Sequence, residues 1–420
     1  MDIYKKMSFA KNGVFIRQVA KLASGTALAQ IINIACLPIL ARIYSPNDFG
    51  TFAIFLACVA ILTSVSTLKY EYAILDASNS KLAKHCTILT IASCIVVLIP
   101  MSIIFVSLYL FKFSFFGLDF IMIACLALAI ITTNTFTSLY YWCNRIEQYS
   151  YMTKGRVYAA FSAAFVSILF GLTTDKNING LVVGSLVGML FNAFYLFYKL
   201  KVSFKSDVQV TLRGLCELSI KLKRFPLYLV PSTLLDRVAA QIHIFVFSSV
   251  FGGAVAGAMG VYNRVIGLPV SIIGNSIGDV FKRKASELIR QGKSCRRLYL
   301  KTAFTLLCLG FPVSVTLFFF APTIFVFVLG EQWLQAGEIA SFLALNFLFA
   351  FVVSPLAGLL YLEKNQKYDL VIQILLISTL SIGMYYAVVK SSLELALYSY
   401  GFSFILKYLI QFIVGYKLAK

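Results

Sequence analysis

The stretch 40-LARIYSPNDFG-50 decides how this chain is read. An almost unbroken apolar run from Leu22 leads into it, Arg42 ends that run, and beyond Gly50 the chain is apolar again. About 20 apolar residues suffice for a helix to cross a hydrocarbon core roughly 30 Å thick. Run, turn and run therefore read as a membrane hairpin. Arg42 is either a boundary marker or a charge placed for a purpose. Asp48 falls near the start of the second run, where a carboxylate favours a helix N-terminus.

The rest of the sequence repeats this pattern. Sixty percent of the residues are hydrophobic, 13% are charged and the mean hydropathy is +0.86, whereas soluble chains carry about 25% charged residues. The expectation is an all-α integral membrane protein of about twelve transmembrane helices, at 18–41, 50–70, 85–111, 118–141, 155–173, 179–199, 225–250, 254–279, 299–321, 336–360, 369–389 and 395–416. The leading residues MDIYKKMSFAKNGVFIRQVAK are basic and amphipathic without a small-residue cleavage site, so the first helix is expected to be retained. A net charge of +20 would point to nucleic acid in a soluble protein. Here about 30 of the 37 Lys and Arg fall in the N-terminal tail and the even-numbered connections, and about four in the odd-numbered ones. That asymmetry is a topology signal: both termini are expected to be cytoplasmic, in the inner membrane of a bacterium, with no nucleic-acid partner. None of the nine cysteines falls in a loop assigned outside, so no disulfide framework is expected.

Organisation follows from the connections. The two longest are basic: 199-KLKVSFKSDVQVTLRGLCELSIKLKRFP-226 and 281-FKRKASELIRQGKSCRRLYLK-301. The first divides the chain into a bundle at 1–200, a cytoplasmic linker at 201–224 and a second bundle at 225–420. A shift of about 207 residues lays Ile43, Tyr44, Gly50 and Phe52 over Val250, Phe251, Gly257 and Met259. Two pseudo-symmetric six-helix bundles are the reading, related as parallel repeats, with substrate bound between them near the midplane. Eight of the nine prolines lie in or beside helices. Bent helices suit a protein that rocks between states.

No soluble-type catalytic set is present, and no metal site, cofactor or enzymatic activity is expected. His243 reads as a packed or interfacial residue. The intramembrane ions carry more information, because a cation at a helix centre costs about 2.5–3.5 kcal/mol on insertion scales and so usually has a task. The candidates are Lys69 and Glu71 in TLKYEYAIL, Asp236 and Arg237 in STLLDRVAAQ, Arg264 in VYNRVIGLP, and Lys407 in FILKYLIQF, with Arg42 and Arg145 at helix ends. On a continuous helix Lys69 and Glu71 point to different faces, as do Asp236 and Arg237, so each is expected to find its partner on another helix. Cations outnumber anions in this set, which suits an anionic passenger. Polar side chains at Asn134, Asn144, Gln241, Tyr262, Asn263 and Asn275 could line its path.

At LARIYSPNDFGTFAIF, STLKYEYAIL and YYWCNRIEQY the chain resembles the Wzx-type oligosaccharide flippases. The long block from Phe225 to Leu288 and the segments LGEQWLQAGEIASFLA and VVSPLAGLLYLEKNQ extend the resemblance. Those proteins belong to the superfamily that also holds multidrug extruders and the lipid II flippase. The resemblance implies two six-helix bundles, alternating access, and a polyprenyl-diphosphate-linked oligosaccharide (an O-antigen or capsule repeat unit) as passenger. It also implies membrane lipids and other polysaccharide-assembly proteins as partners. A multidrug extruder would favour intramembrane acids, and a polysaccharide polymerase a large basic external loop. This interior leans toward bases instead, and the external loops are short and nearly free of cations.

Overall fold

The computed structural model describes residues 24–110, 120–173, 179–204, 211–361 and 366–419. Among them are six membrane-length helices in the first part of the chain: α1 Ser24–Ile43, α2 Pro46–Ser66, α3 Ser80–Ile103, α4 Ile121–Arg145, α5 Tyr149–Thr173 and α6 Gly180–Lys201. Then come α7 Phe225–Phe251, α8 Gly253–Gly274 and α9 Arg296–Leu329. The bent pair Glu331–Phe342 and Ala344–Leu360, at 56°, forms α10, and α11 Tyr368–Val389 and α12 Leu393–Leu418 complete the set. No strand occurs among the described residues. The chain is an all-α multi-pass membrane protein. Helices alone satisfy every backbone group within a spanning segment. Their uncovered aromatic surface, Phe161, Phe165 and Phe194 for example, suits hydrocarbon rather than water.

Several boundaries differ from the hydropathy reading for local reasons. α2 was expected at 50–70 and begins at Pro46. Asp48 Oδ2 accepts hydrogen bonds from Ser45 N–H at 2.8 Å and Ser45 Oγ at 2.7 Å, and Asp48 N–H donates to Ser45 Oγ at 3.3 Å. This is a capping box, with proline at the first helical position where its missing N–H costs nothing. The eighth helix, expected at 254–279, passes Pro269 into a π turn at Val270–Gly274 and then runs on as the amphipathic helix Asn275–Arg290. Proline removes one backbone bond, and the wider turn absorbs the slack. The ninth, expected at 299–321, runs on to Leu329, where Gly330 at φ 112° ends it. Part of the linker is a short helix, Leu212–Lys221, capped by Thr211, whose Oγ1 accepts from Gly214 N–H at 3.2 Å.

The described contacts divide the chain into two compact units: residues 1–43 with 54–241, and residues 44–53 with 242–420. In the first, α5 and α6 approach through small residues. A Cβ on Gly184 would lie 2.0 Å from Ser167 Oγ, and one on Gly188 2.8 Å from the Ala159 carbonyl. Glycines spaced by four let membrane helices pack backbone to backbone.

In the second unit the opening turn of α2 crosses the opening turns of α8. A Cβ on Gly50 would come within 2.0 Å of the Gly253 carbonyl oxygen, and one on Gly257 within 2.0 Å of the Pro46 carbonyl oxygen. Under the 207-residue shift these two contacts exchange: Gly50 becomes Gly257, and Pro46 becomes Gly253. A third contact, a Cβ on Gly260 at 3.2 Å from Ala53 Cβ, maps onto itself. The faint repeat in the sequence is therefore a packing element, in which corresponding segments of the two repeats touch.

Candidate functional site

The first unit builds its polar centre around a break in a helix. α2 stops at Ser66 because Leu68 and Lys69 turn into the left-handed region, at φ 51° and 60°. Residues with a Cβ rarely adopt it, at a cost of roughly 1–2 kcal/mol each. A short helix, Glu71–Asp76, then resumes. The break is held by its neighbours. Ser93 Oγ of α3 donates to the Thr67 carbonyl at 3.1 Å, and Asn134 of α4 donates to Ser66 Oγ and to Cys94 Sγ.

This turn corrects the expectation for Lys69 and Glu71. They do not point to separate faces with partners elsewhere: Lys69 Nζ lies 3.7 Å from Glu71 Oε1, and both side chains are nearly covered. The left-handed pair of residues swings the lysine back over the glutamate, which a continuous helix cannot do. Glu71 Oε2 is buried without a hydrogen-bond partner among the described residues.

Aromatic rings and cations surround the break within the first unit. Tyr72 meets Tyr141 edge to face at 5.5 Å. Arg156 of α5 lies 4.9 Å over the ring of Tyr140, and its Nη1 donates to Thr26 Oγ1 at 2.6 Å. Arg156 is not among the candidates that the sequence singles out. Only the fold carries it to Tyr140. Asp236 and Arg237 are exposed on α7. Arg145 is already engaged: its guanidinium donates to the carbonyls of Ile74 at 2.9 Å, Leu75 at 3.1 Å and Ala77 at 2.7 Å. It closes the C-terminal end of the short helix, where the helix dipole favours a cation. Arg42 is exposed at the end of α1.

The second unit holds Arg264 and Lys407. Arg264 of α8 sits 4.6 Å from the ring centre of Phe52 and 5.9 Å from that of Phe49, which packs edge-on against Trp333 at 4.9 Å. Lys407 lies 5.8 Å and 5.9 Å from the rings of Phe404 and Tyr408 on its own helix. His243 is buried, with Nε2 3.5 Å from Asn263 Nδ2 and its ring 4.9 Å from Tyr400. It is a packed residue. Tyr262 donates to the Leu343 carbonyl, at the bend of α10. The side chain of Asn275 lies outside the described residues.

Chemically, the arrangement favours anions. Among the described residues Arg156, Arg237 and Arg264 have no carboxylate at salt-bridge distance, while Glu71 is held by Lys69. An aromatic face attracts a guanidinium through its quadrupole and leaves the N–H groups on the guanidinium edge free for oxygen acceptors. Among the described residues no cluster of His, Cys, Asp and Glu could hold a metal ion.

The fold has well-defined relatives. It superposes on the lipid II flippase MurJ in its inward closed conformation with a TM-score of 0.76 at 13% identity, covering 94% of this chain and 87% of that one. An inward-facing multidrug resistance MATE family transporter of the MOP superfamily matches with a TM-score of 0.63 at 12% identity, over 92% and 93% of the two chains. A MOP superfamily transporter from Pyrococcus furiosus, described as having a binding pocket of reversed polarity, matches with a TM-score of 0.63 at 13% identity, over 95% and 94%. At such identities the likeness concerns the fold. No curated relative matches the sequence itself. A profile of the polysaccharide biosynthesis protein family, however, matches residues 39–338, well over half of the chain. The sequence motifs, the helical architecture and that match lead to one assignment: this chain belongs to the family of polysaccharide biosynthesis proteins.

Proposed function

We propose that the protein is a flippase that moves a polyprenyl-diphosphate-linked oligosaccharide from the cytoplasmic to the outer leaflet of a bacterial inner membrane by alternating access. The observation that carries the reading is the set of arginines on membrane-length helices, Arg156, Arg237 and Arg264, with no carboxylate at salt-bridge distance among the described residues. Two of them rest on aromatic faces. Cations without a counter-charge are expensive in a membrane, and a diphosphate would supply one. The polyprenyl tail can stay in lipid throughout. The diphosphate and sugars cannot, since each unpaired hydroxyl taken into hydrocarbon costs several kcal/mol. With the cytoplasm negative, outward movement of about two charges is favoured by roughly 2.3 kcal/mol per charge per 100 mV. Arg237 and Arg264 are assigned to the diphosphate, and Lys69, Glu71, Asp236 and Lys407 to the surrounding path. Both termini are placed in the cytoplasm, with the linker at 201–224 joining the repeats.

The test is translocation by the purified chain in proteoliposomes. A polyprenyl-diphosphate oligosaccharide placed in one leaflet should become accessible to a membrane-impermeant sugar-modifying reagent on the other side, faster than in protein-free vesicles. Transport of a cationic drug with no movement of the lipid-linked sugar would instead support the multidrug reading.

A further inference from the structure

The second unit contains an apolar groove that the proposed transport path does not use. It has a volume of about 500 Å³ and is lined by Leu300, Ala303, Phe304 and Leu307 of α9, Val352 of α10, and Leu409 and Phe412 of α12, among others, with almost no polar surface. Leu300, Phe304 and Leu409 are exposed, so the groove opens outward from these helices. Hydrocarbon is the only medium that would fill it without penalty.

One end of the groove has a different chemistry. Arg296 and Arg297 precede Leu300 by four and three residues, which places them one turn below it on the same face of α9. Tyr416 follows Phe412 by four on α12, and the Arg296 guanidinium lies 4.8 Å over its ring. The two helix ends are tied at this level: Cys295 N–H donates to the Ala419 carbonyl at 2.9 Å and Ser294 Oγ to the same oxygen at 3.0 Å. Arg296 Nε is buried there with no hydrogen-bond partner among the described residues. A buried charged donor without an acceptor is costly. It stands where an apolar slot meets the basic segment 293-KSCRR-297.

We infer that this groove binds an anionic phospholipid, with one acyl chain lying along α9, α10 and α12 and the phosphate held by Arg296 and Arg297. Basic sites between membrane helices at the headgroup level bind lipid headgroups in this way. The basic end calls for an anionic headgroup, and the apolar volume fits one acyl chain. A methylene needs about the space of a water, roughly 30 Å³, so the groove takes roughly 16 carbons, the length of one acyl chain. A polyprenyl tail is several times longer. The phosphate accepts charge-assisted hydrogen bonds from the guanidinium N–H groups of Arg296 and Arg297.

Native mass spectrometry of the full chain in detergent tests this, with phosphatidylglycerol and phosphatidylcholine of identical acyl chains as probes. The wild type should retain phosphatidylglycerol roughly thirtyfold better, the effect of two interfacial cations. Arg297→Gln, at an exposed position, should lose about fivefold of that preference, and the double change R296Q/R297Q nearly all of it. Ala303→Phe, which fills the groove, should weaken binding of both lipids. Equal retention of both lipids by the wild type, or unchanged preference in the arginine variants, would overturn the site. Displacement of phosphatidylglycerol by an equal concentration of undecaprenyl phosphate would overturn the occupant, assigning the groove to the passenger's tail.

Discussion

Replacing Arg264 by methionine separates a substrate-binding arginine from a structural one. In the folded protein its guanidinium rests on Phe52 and Phe49 and has no carboxylate partner among the described residues. Arg264→Met gives up a desolvated cation–π contact worth about 2 kcal/mol. It also removes an embedded cation, whose insertion costs about 2.5–3.5 kcal/mol. Relief of the embedded charge offsets the lost contact, so the variant is expected to be no less stable than the wild type. The linear methionine can lie over the same rings, and favourable sulfur–aromatic contact offsets lost packing. Thermal unfolding in detergent can be followed by tryptophan fluorescence, since both tryptophans, Trp142 and Trp333, are fully buried and Trp333 packs on Phe49. The expected result is a melting temperature equal to or above that of the wild type, together with loss of lipid-linked sugar translocation. Arg264→Lys should keep part of the transport if charge alone matters, and little if the planar fork is required. A clear fall in melting temperature in Arg264→Met, or transport at the wild-type rate, would refute the reasoning.

Other expectations follow from named contacts. Lys69→Met strands the buried Glu71 carboxylate and should cost about 3–5 kcal/mol, whereas K69M/E71Q should recover most of that; a double variant that melts below Lys69→Met would deny the pairing. Gly257→Val must push against the Pro46 carbonyl and should destabilise by about 1–3 kcal/mol, while Gly267→Ala, where an added Cβ meets nothing within 4 Å, should be neutral in the same melting assay. Reporter fusions at Asn47 and Gln332 should read outside and one at Gly292 inside; the same side for Asn47 and Gly292 would end the twelve-helix topology. Arg42→Lys should retain much of the transport and Arg42→Ala less; equal loss in both would point to bidentate recognition by the guanidinium.

The fold was legible because bilayer thickness dictates apolar run length, a signal that survives without any tertiary information. The turn at Ser45–Gly50 was legible in part: Asp48 marked a helix start, while the apolar run alone put that start at 50 rather than at Pro46. The break at Leu68 and Lys69 was not. Neither residue favours positive φ, and the conformation is imposed by Ser93 and Asn134 from other helices, far away in sequence. Reading a continuous helix there misplaced the Lys69–Glu71 pair. Arg156 escaped for a related reason: its partners, Tyr140 and Thr26, lie 16 and 130 positions away, and no periodicity links them. Arg145 was visible as a charge at a helix end, but its task of capping another helix depended on where Ile74, Leu75 and Ala77 came to lie.

The glycine crossing of α2 and α8 has a consequence for how such a chain could have arisen. A contact that exchanges with itself under the repeat shift has the form of an isologous interface, in which one surface serves as its own partner, as in a two-fold homodimer. A half-length ancestor carrying a single copy of this segment would have held the complementary surface for a second copy of itself. Fusion of two such copies would make the pairing permanent and leave them free to differ, as Pro46 and Gly253 do. The drift is bounded where backbones touch. Gly50 and Gly257 each face a carbonyl of the other copy at a distance that admits no side chain, so glycine is required at both positions of the repeat while the sequence around them is free to differ.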